Sequence, residues 1–132
     1  MKSSLLLALA LASCATTPAT PSHPGGNVVY RYVNTLDVGK DNTLDPVSVT
    51  GYDESGVKEA TCLEVKVGSS SLMLRDPYDG SAGGAMYNPG VELAPGGALL
   101  VRWEQIGEVR CRAEIVAGSD GKLTERQRVT TP

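Results

Sequence analysis

The stretch Thr61-Cys62-Leu63-Glu64-Val65-Lys66-Val67 has the clearest β-strand pattern in this 132-residue chain. Leu63, Val65 and Val67 fall on one face, and the charged residues between them fall on the other. This period of two is typical of a strand with one face in a core and one towards solvent. Short runs of β-forming residues recur on both sides of it, at 28–33, 46–50, 71–75, 91–97, 98–106, 108–116 and 123–130.

Turn residues separate these runs at intervals of about 8–12 residues, which is typical of all-β domains. Ser119-Asp120-Gly121 is a strong hairpin signal between the last two runs. No window of about eleven residues or more after Cys14 shows helical spacing. The sequence therefore predicts an all-β fold, a single small antiparallel β-sandwich or barrel of about seven or eight strands.

The composition limits both the core and the partners. The chain has one Trp, five Tyr and no Phe, so the core must be built mainly from aliphatic side chains. The formal net charge is −3. Nucleic-acid binding needs a concentrated basic surface, and we therefore expect no nucleic-acid partner.

The N-terminus reads as an export signal. Residues 5–12 form an apolar run after Met1-Lys2, much shorter than the roughly 20 residues that span a bilayer. The run ends in Leu11-Ala12-Ser13-Cys14, which resembles the lipobox of bacterial lipoproteins. The resemblance implies a signal peptide at 1–13 and a mature chain anchored by acyl chains, palmitate among them, on Cys14. An ordinary signal peptide with an incidental cysteine is the alternative.

The lipobox resemblance also implies a location. Lipoproteins of this type with Ala rather than Asp after the cysteine, as at Ala15, usually reach the outer membrane, here expected to face the periplasm. Residues 15–27 contain three prolines and two glycines. We therefore interpret 14–27 as the lipidated cysteine and a flexible tether with a reach of about 40 Å. Residues 28–132 then form the β domain.

Cys62 and Cys111 remain once Cys14 is lipidated. An exported chain meets an oxidising compartment, so the pair is interpreted first as a disulfide. A free thiol or metal ligand is the alternative. The strand pattern raises one difficulty, because Cys111 falls on the apolar face of its run and Cys62 on the polar face. A bulge could correct this parity, Cys62 could lie where the strand starts, or the two cysteines could remain unpaired.

The expected β domain contains no histidine, because His23 lies in the tether. No Ser-His-Asp or Cys-His arrangement and no histidine-based zinc site can form there. We therefore expect no catalytic residue, no cofactor and no metal site, and not an enzyme. Asp37, Asp41 and Asp45 do not match the alternating ligands of an EF-hand loop, and a solvated acidic loop is the favoured interpretation.

Two segments are candidate binding surfaces. Arg110, Arg112, Arg126 and Arg128 would share one sheet face if their runs pair as a hairpin, giving either a mixed-charge solvent face or a surface for an acidic partner. Residues 76–90 are rich in Gly and Pro and carry Tyr78, Met86 and Tyr87. These apolar side chains either cover the end of the core or contact a ligand. We expect the loop, rather than the arginines, to be the principal contact surface.

Two further resemblances concern the domain itself. Ser81-Ala82-Gly83-Gly84-Ala85-Met86-Tyr87 resembles the S-A-S-G-A-x-Y stretch of membrane-bound C-type lysozyme inhibitors, which are small disulfide-containing β-barrel lipoproteins. Their W-x-K-G element has no counterpart, since Trp103 is followed by Glu104-Gln105-Ile106-Gly107. Residues 93–122 resemble uncharacterised exported bacterial β domains, which implies only fold and location.

The leading hypothesis is a non-catalytic envelope lipoprotein whose β domain binds or supports another envelope component, either a protein or a glycan. The alternative is an inhibitor of a host or competitor enzyme such as lysozyme. A cell-wall hydrolase is the third hypothesis.

Overall fold

The computed structural model describes residues 26–76, 84–106 and 109–132. They form eight strands: β1 (Asn27–Leu36), β2 (Asp45–Asp53), β3 (Cys62–Val67), β4 (Ser70–Leu74), β5 (Tyr87–Leu93), β6 (Leu99–Gln105), β7 (Val109–Ala117) and β8 (Leu123–Thr131). The predicted all-β fold is confirmed. In the ranges given above, the chain has no helix with the length and apolar character needed to cross a bilayer.

The strands form two four-stranded sheets, β1-β2-β3-β4 and β5-β6-β7-β8, in which every neighbouring pair is antiparallel and consecutive in sequence. β1 approaches β5, and β4 approaches β8. The two sheets therefore pack with their strand orders aligned, as a β-sandwich.

Alternation along the central strands creates the core between the sheets. Its largest fully buried side chains come from both sheets and from the segment that precedes β5: Trp103, Leu63, Leu74, Met86, Leu99 and Ile115. The apolar face predicted for β3 is the buried one, since Leu63, Val65 and Val67 all belong to the core. Aliphatic side chains supply most of this core, as the composition predicts.

Hydrogen bonds also link the two halves of the chain. The Gly39 N–H donates to the Gly97 carbonyl at 2.9 Å, and the Met86 N–H donates to the Ala60 carbonyl at 2.7 Å. A Cβ on Gly97, which has φ +97°, would lie 2.9 Å from the Gly39 backbone. This close approach of two turns requires glycine at 97.

The predicted hairpin turn joins β7 to β8. The Gly121 N–H donates to the Gly118 carbonyl at 2.9 Å, and the Asp120 carboxylate accepts from the Lys122 N–H at 2.9 Å. Gly121 has φ +84°, a conformation that a residue with a side chain rarely adopts. The hairpin turn predicted from Ser119-Asp120-Gly121 is therefore confirmed.

The structure corrects one boundary of the expected loop at 76–90. β5 begins at Tyr87, so Pro89 and Gly90 lie in a strand. β5 is an edge strand with a register shift between Tyr87 and Gly90, and Asn88 has φ +49°. Proline is tolerated at an edge because it need not donate to a neighbour. The signal peptide, Cys14 and the tether as far as residue 25 lie outside the described residues.

Candidate binding surface

Four exposed arginines lie on the outer surface of the sheet β5–β8: Arg102 on β6, Arg110 and Arg112 on β7, and Arg126 on β8. Arg102, Arg110 and Arg112 border one groove. We call these three residues the arginine face. Arg102 is directly paired with Arg112, and Arg110 is paired with Glu104. Val129 and Thr131 of β8 pair with Arg112 and Arg110 and therefore share this surface.

Arg102 is held in place from β5. A Cβ on Gly90 would lie 2.7 Å from the Arg102 Cζ, so the guanidinium rests directly on the backbone of β5. The Arg102 Nη1 also donates to the Glu92 carboxylate at 2.9 Å. The Arg102 guanidinium thus packs on the backbone of Gly90, where a larger residue would displace it. In the sequence, this glycine suggests a break in the strand.

Arg110 and Arg112 differ from the other described arginines of this sheet. Arg102 pairs with Glu92, Arg126 pairs with Glu114 at 2.6 Å, and Arg128 pairs with Glu125. Among the residues that the structure describes, no hydrogen bond or ion pair reaches Arg110 or Arg112. Within the described residues, neither guanidinium is therefore held by an ion pair.

Three adjoining grooves lie along the arginine face. The largest is about 220 Å³ and is lined by all three arginines together with Val129, Thr131 and Cys111. Two others of about 150 Å³ flank it, one bordered by Glu114 and Gln127 and the other by Asn88 and Glu104. Cationic side chains around a partly apolar floor can hold an anionic group.

The predicted face of four arginines is wrong in one respect, because Arg128 does not lie on it. Arg128 pairs with the core residue Ala113, so it points to the inner side of its sheet. Its guanidinium lies 5.1 Å from the Trp103 ring centre, within cation–π range, and donates to the Arg75 carbonyl at 2.7 Å. A register shift between Glu114 and Ile115 produces this reversal.

A buried polar cluster holds the start of the segment after β4. The Asp76 carboxylate, 7% exposed, accepts from the Trp103 indole N–H at 2.6 Å and from the Gln105 amide at 2.8 Å. The Cys111 thiol lies 3.8 Å from the same carboxylate. A Cβ on Gly84 would lie 2.2 Å from the Asp76 carbonyl oxygen. Residues 76 and 84 are therefore fixed side by side.

The three apolar residues proposed for loop contact have different outcomes. Tyr78 lies outside the described residues. Met86 is 0% exposed and belongs to the core, which agrees with the interpretation that it covers the end of the core. Tyr87 is half-buried at the start of β5. Of the stretch that resembles lysozyme inhibitors, only Gly84 to Tyr87 is described.

The expected disulfide between Cys62 and Cys111 is not formed, and both cysteines are buried free thiols. β3 runs without a register shift, so Cys62 points to the outer side of its sheet, opposite to Leu63. Cys111 points inward, beside the Asp76 carboxylate and the Thr130 hydroxyl. The parity difficulty seen in the sequence is real, because no bulge corrects it.

Burial makes the Cys62 thiol a poor nucleophile. Burial first, and then the nearby Glu54 carboxylate, raise the pKa of Cys62 to about 11. Burial also raises the pKa of Cys111. Thiolates, not thiols, are the reactive species. Both thiols are therefore only weakly ionised at neutral pH, which makes them poor nucleophiles.

Acidic side chains elsewhere stabilise turns. The Asp53 carboxylate accepts four backbone N–H bonds, from Ser55, Gly56, Val57 and Lys58, at 2.7–3.1 Å. Asp37 accepts bonds from the backbone of Asp41 and Asn42. Across the described residues, no group of three or more His, Cys, Asp or Glu side chains is arranged to hold a metal ion. The acids between β1 and β2 organise a loop.

Comparison of the chain with protein-family models, with curated proteins and with solved structures gives no match. The function is therefore inferred from the surface described above.

Proposed function

We propose that this chain is a non-catalytic envelope lipoprotein whose β-sandwich binds another envelope component through the arginine face. The observation that supports it best is the pair Arg110 and Arg112, which are exposed, border three grooves and make no ion pair with any described residue. Loop contact was the expectation from sequence, but the burial of Met86 removes part of its basis.

The anchor is proposed from Leu11-Ala12-Ser13-Cys14. β1 begins at Asn27, and a Pro-rich tether between Cys14 and β1 would reach about 40 Å. Several acyl chains hold a protein at a membrane far more strongly than one, at about 0.8 kcal/mol per buried methylene. The domain would therefore stay attached to the membrane, which we propose to be the periplasmic face of the outer membrane, while its surfaces remain accessible.

The non-catalytic assignment is supported by the side chains themselves. The only histidine, His23, precedes the domain, and burial raises the pKa of both cysteines of the domain. Nucleophilic catalysis needs a nucleophile activated by a base or by a lowered pKa. The raised pKa values of Cys62 and Cys111 are the opposite of that requirement.

The test is site-specific photo-cross-linking in intact cells of the source bacterium. A photoreactive amino acid replaces Gln127, which is exposed beside Arg112. The matched control places it at Lys66, which is exposed on the outer side of the other sheet. We expect an adduct with an envelope component from position 127 and none from position 66.

Equal adducts from both positions, or none from position 127, would contradict the proposed surface. An adduct with a lysozyme-like enzyme would instead support the inhibitor hypothesis. In parallel, Cys14→Ser should release the chain from the carbonate-washed membrane fraction. A variant that stays in that fraction after its signal has been removed would contradict the anchor.

A further inference from the structure

We propose that the arginine face is a phosphate-binding site, which recognises one phosphate group carried by a saccharide or lipid of the envelope. This inference rests on the proposed function and names the chemistry of its ligand. Three properties of the site support it: the arrangement of the guanidinium groups, the electrostatic cost of that arrangement, and the acidic residues around it.

The three arginines form a triangle on two strands. Arg110 and Arg112 are two residues apart on β7, so their Cα atoms are about 6.6 Å apart along the strand. Arg102 lies directly opposite Arg112 on β6, where paired Cβ atoms are about 5 Å apart. The Arg102 guanidinium lies over Gly90 of β5, and all three arginine side chains border one groove. A group bound in that groove can therefore be reached from both strands.

The triangle has an electrostatic cost in the absence of a ligand. Like charges directly opposite each other on neighbouring strands destabilise a sheet. Arg102 and Arg112 are such a pair. Glu92 offsets the charge of Arg102 through its ion pair, whereas Arg112 has no ion pair with a described residue. An anion bound between the two strands would remove this repulsion.

Phosphate fits the triangle better than carboxylate. A carboxylate presents two coplanar oxygens, which match the fork of a single guanidinium. A phosphate monoester presents three oxygens in a tetrahedral arrangement and about −1.5 to −2 charges. It can therefore accept hydrogen bonds from guanidinium groups that approach from different strands. The groove has a volume of about 220 Å³, well above the roughly 10–15 Å³ that one bound water needs by the same measure.

The surrounding carboxylates limit the site to a single phosphate group. Glu92, Glu104 and Glu114 lie on the same sheet around the three arginines. An extended polyanion would place further negative charges against these glutamates. The chain also carries a net charge of −3. A broad polyanionic surface is therefore disfavoured, while one phosphate group between the arginines is not.

The test measures phosphate binding by the full-length lipoprotein in non-ionic detergent micelles. Inorganic phosphate is titrated at constant ionic strength while the side-chain Nε–H signals of arginine are followed by NMR. Acetate serves as the carboxylate comparison. We expect saturable shifts of the Arg102, Arg110 and Arg112 signals with phosphate, and at least about tenfold weaker binding of acetate.

Two variants check the assignment. Arg112→Gln should weaken phosphate binding about tenfold, whereas Lys66→Gln, which removes an exposed cation from the outer side of the other sheet, should change it less than about twofold. Amide spectra must first show that both variants are folded. Shifts without saturation, equal binding of acetate, or an equal loss in both variants would overturn the proposal.

Two further titrations identify the source of the phosphate group. Glucose 1-phosphate represents a saccharide phosphate, and vesicles of phosphatidylcholine with phosphatidic acid represent a lipid headgroup. Saturable binding of either supports the site and identifies its carrier, whereas binding of neither would overturn a role in the envelope. An adduct from position 127 without any phosphate binding would leave the proposed function standing and refute this inference alone.

Discussion

The indole N–H of Trp103 donates a 2.6 Å hydrogen bond to the carboxylate of Asp76, and both residues are buried. This bond joins the chain just after β4 to the centre of β6, across 27 residues of sequence. Gln105 donates to the same carboxylate at 2.8 Å. One acidic side chain thus satisfies the polar groups of two residues in the other sheet, which makes it a structural link between the two halves of the domain.

Asp76→Ala should destabilise the domain. The substitution leaves the Trp103 N–H and the Gln105 amide without their acceptor, and a buried donor without a partner costs about 1–3 kcal/mol. We expect urea unfolding to give a free energy of unfolding about 2 kcal/mol lower than that of the parent protein. The control, Glu92→Gln, removes a carboxylate from an exposed ion pair and should change stability by about 0.5 kcal/mol or less. Equal effects of the two substitutions would show that Asp76 is not a structural link.

Strand periodicity predicts the central strands of the domain, and the features that it misses lie at an edge strand and at a bulge. Period-two patterns predicted β3, β6 and β7 because each alternates between core and surface. The start of β5 was missed because Pro89 and Gly90 suggest a loop, and only the structure shows the Arg102 guanidinium resting on Gly90. The inward direction of Arg128 depends on one extra residue at the Glu114–Ile115 bulge. A bulge of this kind has no compositional signal.

The stability of the domain should fall in acid, and two neighbouring carboxylates, Asp53 and Glu54, should contribute to the fall. Burial raises the pKa of Asp53, but four backbone N–H bonds outweigh it and the net shift is downward. The hydrogen bond from Arg75 lowers the pKa of Glu54. A carboxylate with a lowered native pKa contributes its full stabilisation above its unfolded pKa, which is about 3.9 for Asp and 4.3 for Glu. That contribution is lost as the pH falls through the native pKa.

Urea unfolding at pH 7, 5, 4 and 3 measures this effect. Asp53→Asn and Glu54→Gln should each be less stable than the parent at pH 7, and the difference should shrink as the pH falls below about 4. The control Asp45→Asn changes the carboxylate at the start of β2, the strand that ends at Asp53. Among the described residues, no hydrogen bond or ion pair to the Asp45 side chain is seen. A constant difference from pH 7 to pH 3 would refute the linkage.

Protein taken from the envelope without reductant should contain two free thiols, at Cys62 and Cys111. The Cys62 side chain points to the outer side of its sheet, whereas the Cys111 side chain points to the inner side of the other sheet. Burial raises the pKa of both thiols, that of Cys62 to about 11. N-ethylmaleimide at pH 7.5, roughly one unit below an ordinary thiol pKa, should therefore label both residues slowly in the native protein and rapidly in urea. Mass spectrometry of the digested, unreduced protein measures both outcomes. Detection of two peptides linked through Cys62 and Cys111 would show that the disulfide does form.

Arg112→Thr should leave the stability of the domain unchanged or raise it, by up to about 1 kcal/mol. The arginine faces the like charge of Arg102 directly across β6 and β7, and it makes no ion pair with any described residue. It contributes only after Arg126 to the lowered pKa of Glu114, so its removal costs little. Threonine is also well suited to a strand.

Arg126→Thr is the matched control for this last prediction, because it breaks the 2.6 Å ion pair with Glu114 on the same sheet. We expect it to lower stability slightly, by less than about 1 kcal/mol. Both effects should shrink in 1 M salt, where the Debye length is about 3 Å. Urea midpoints at low and high salt give the comparison. A clear loss of stability in Arg112→Thr would mean that this arginine supports the fold. An unchanged or higher midpoint, together with weaker phosphate binding, would mean that the sheet carries Arg112 for its ligand.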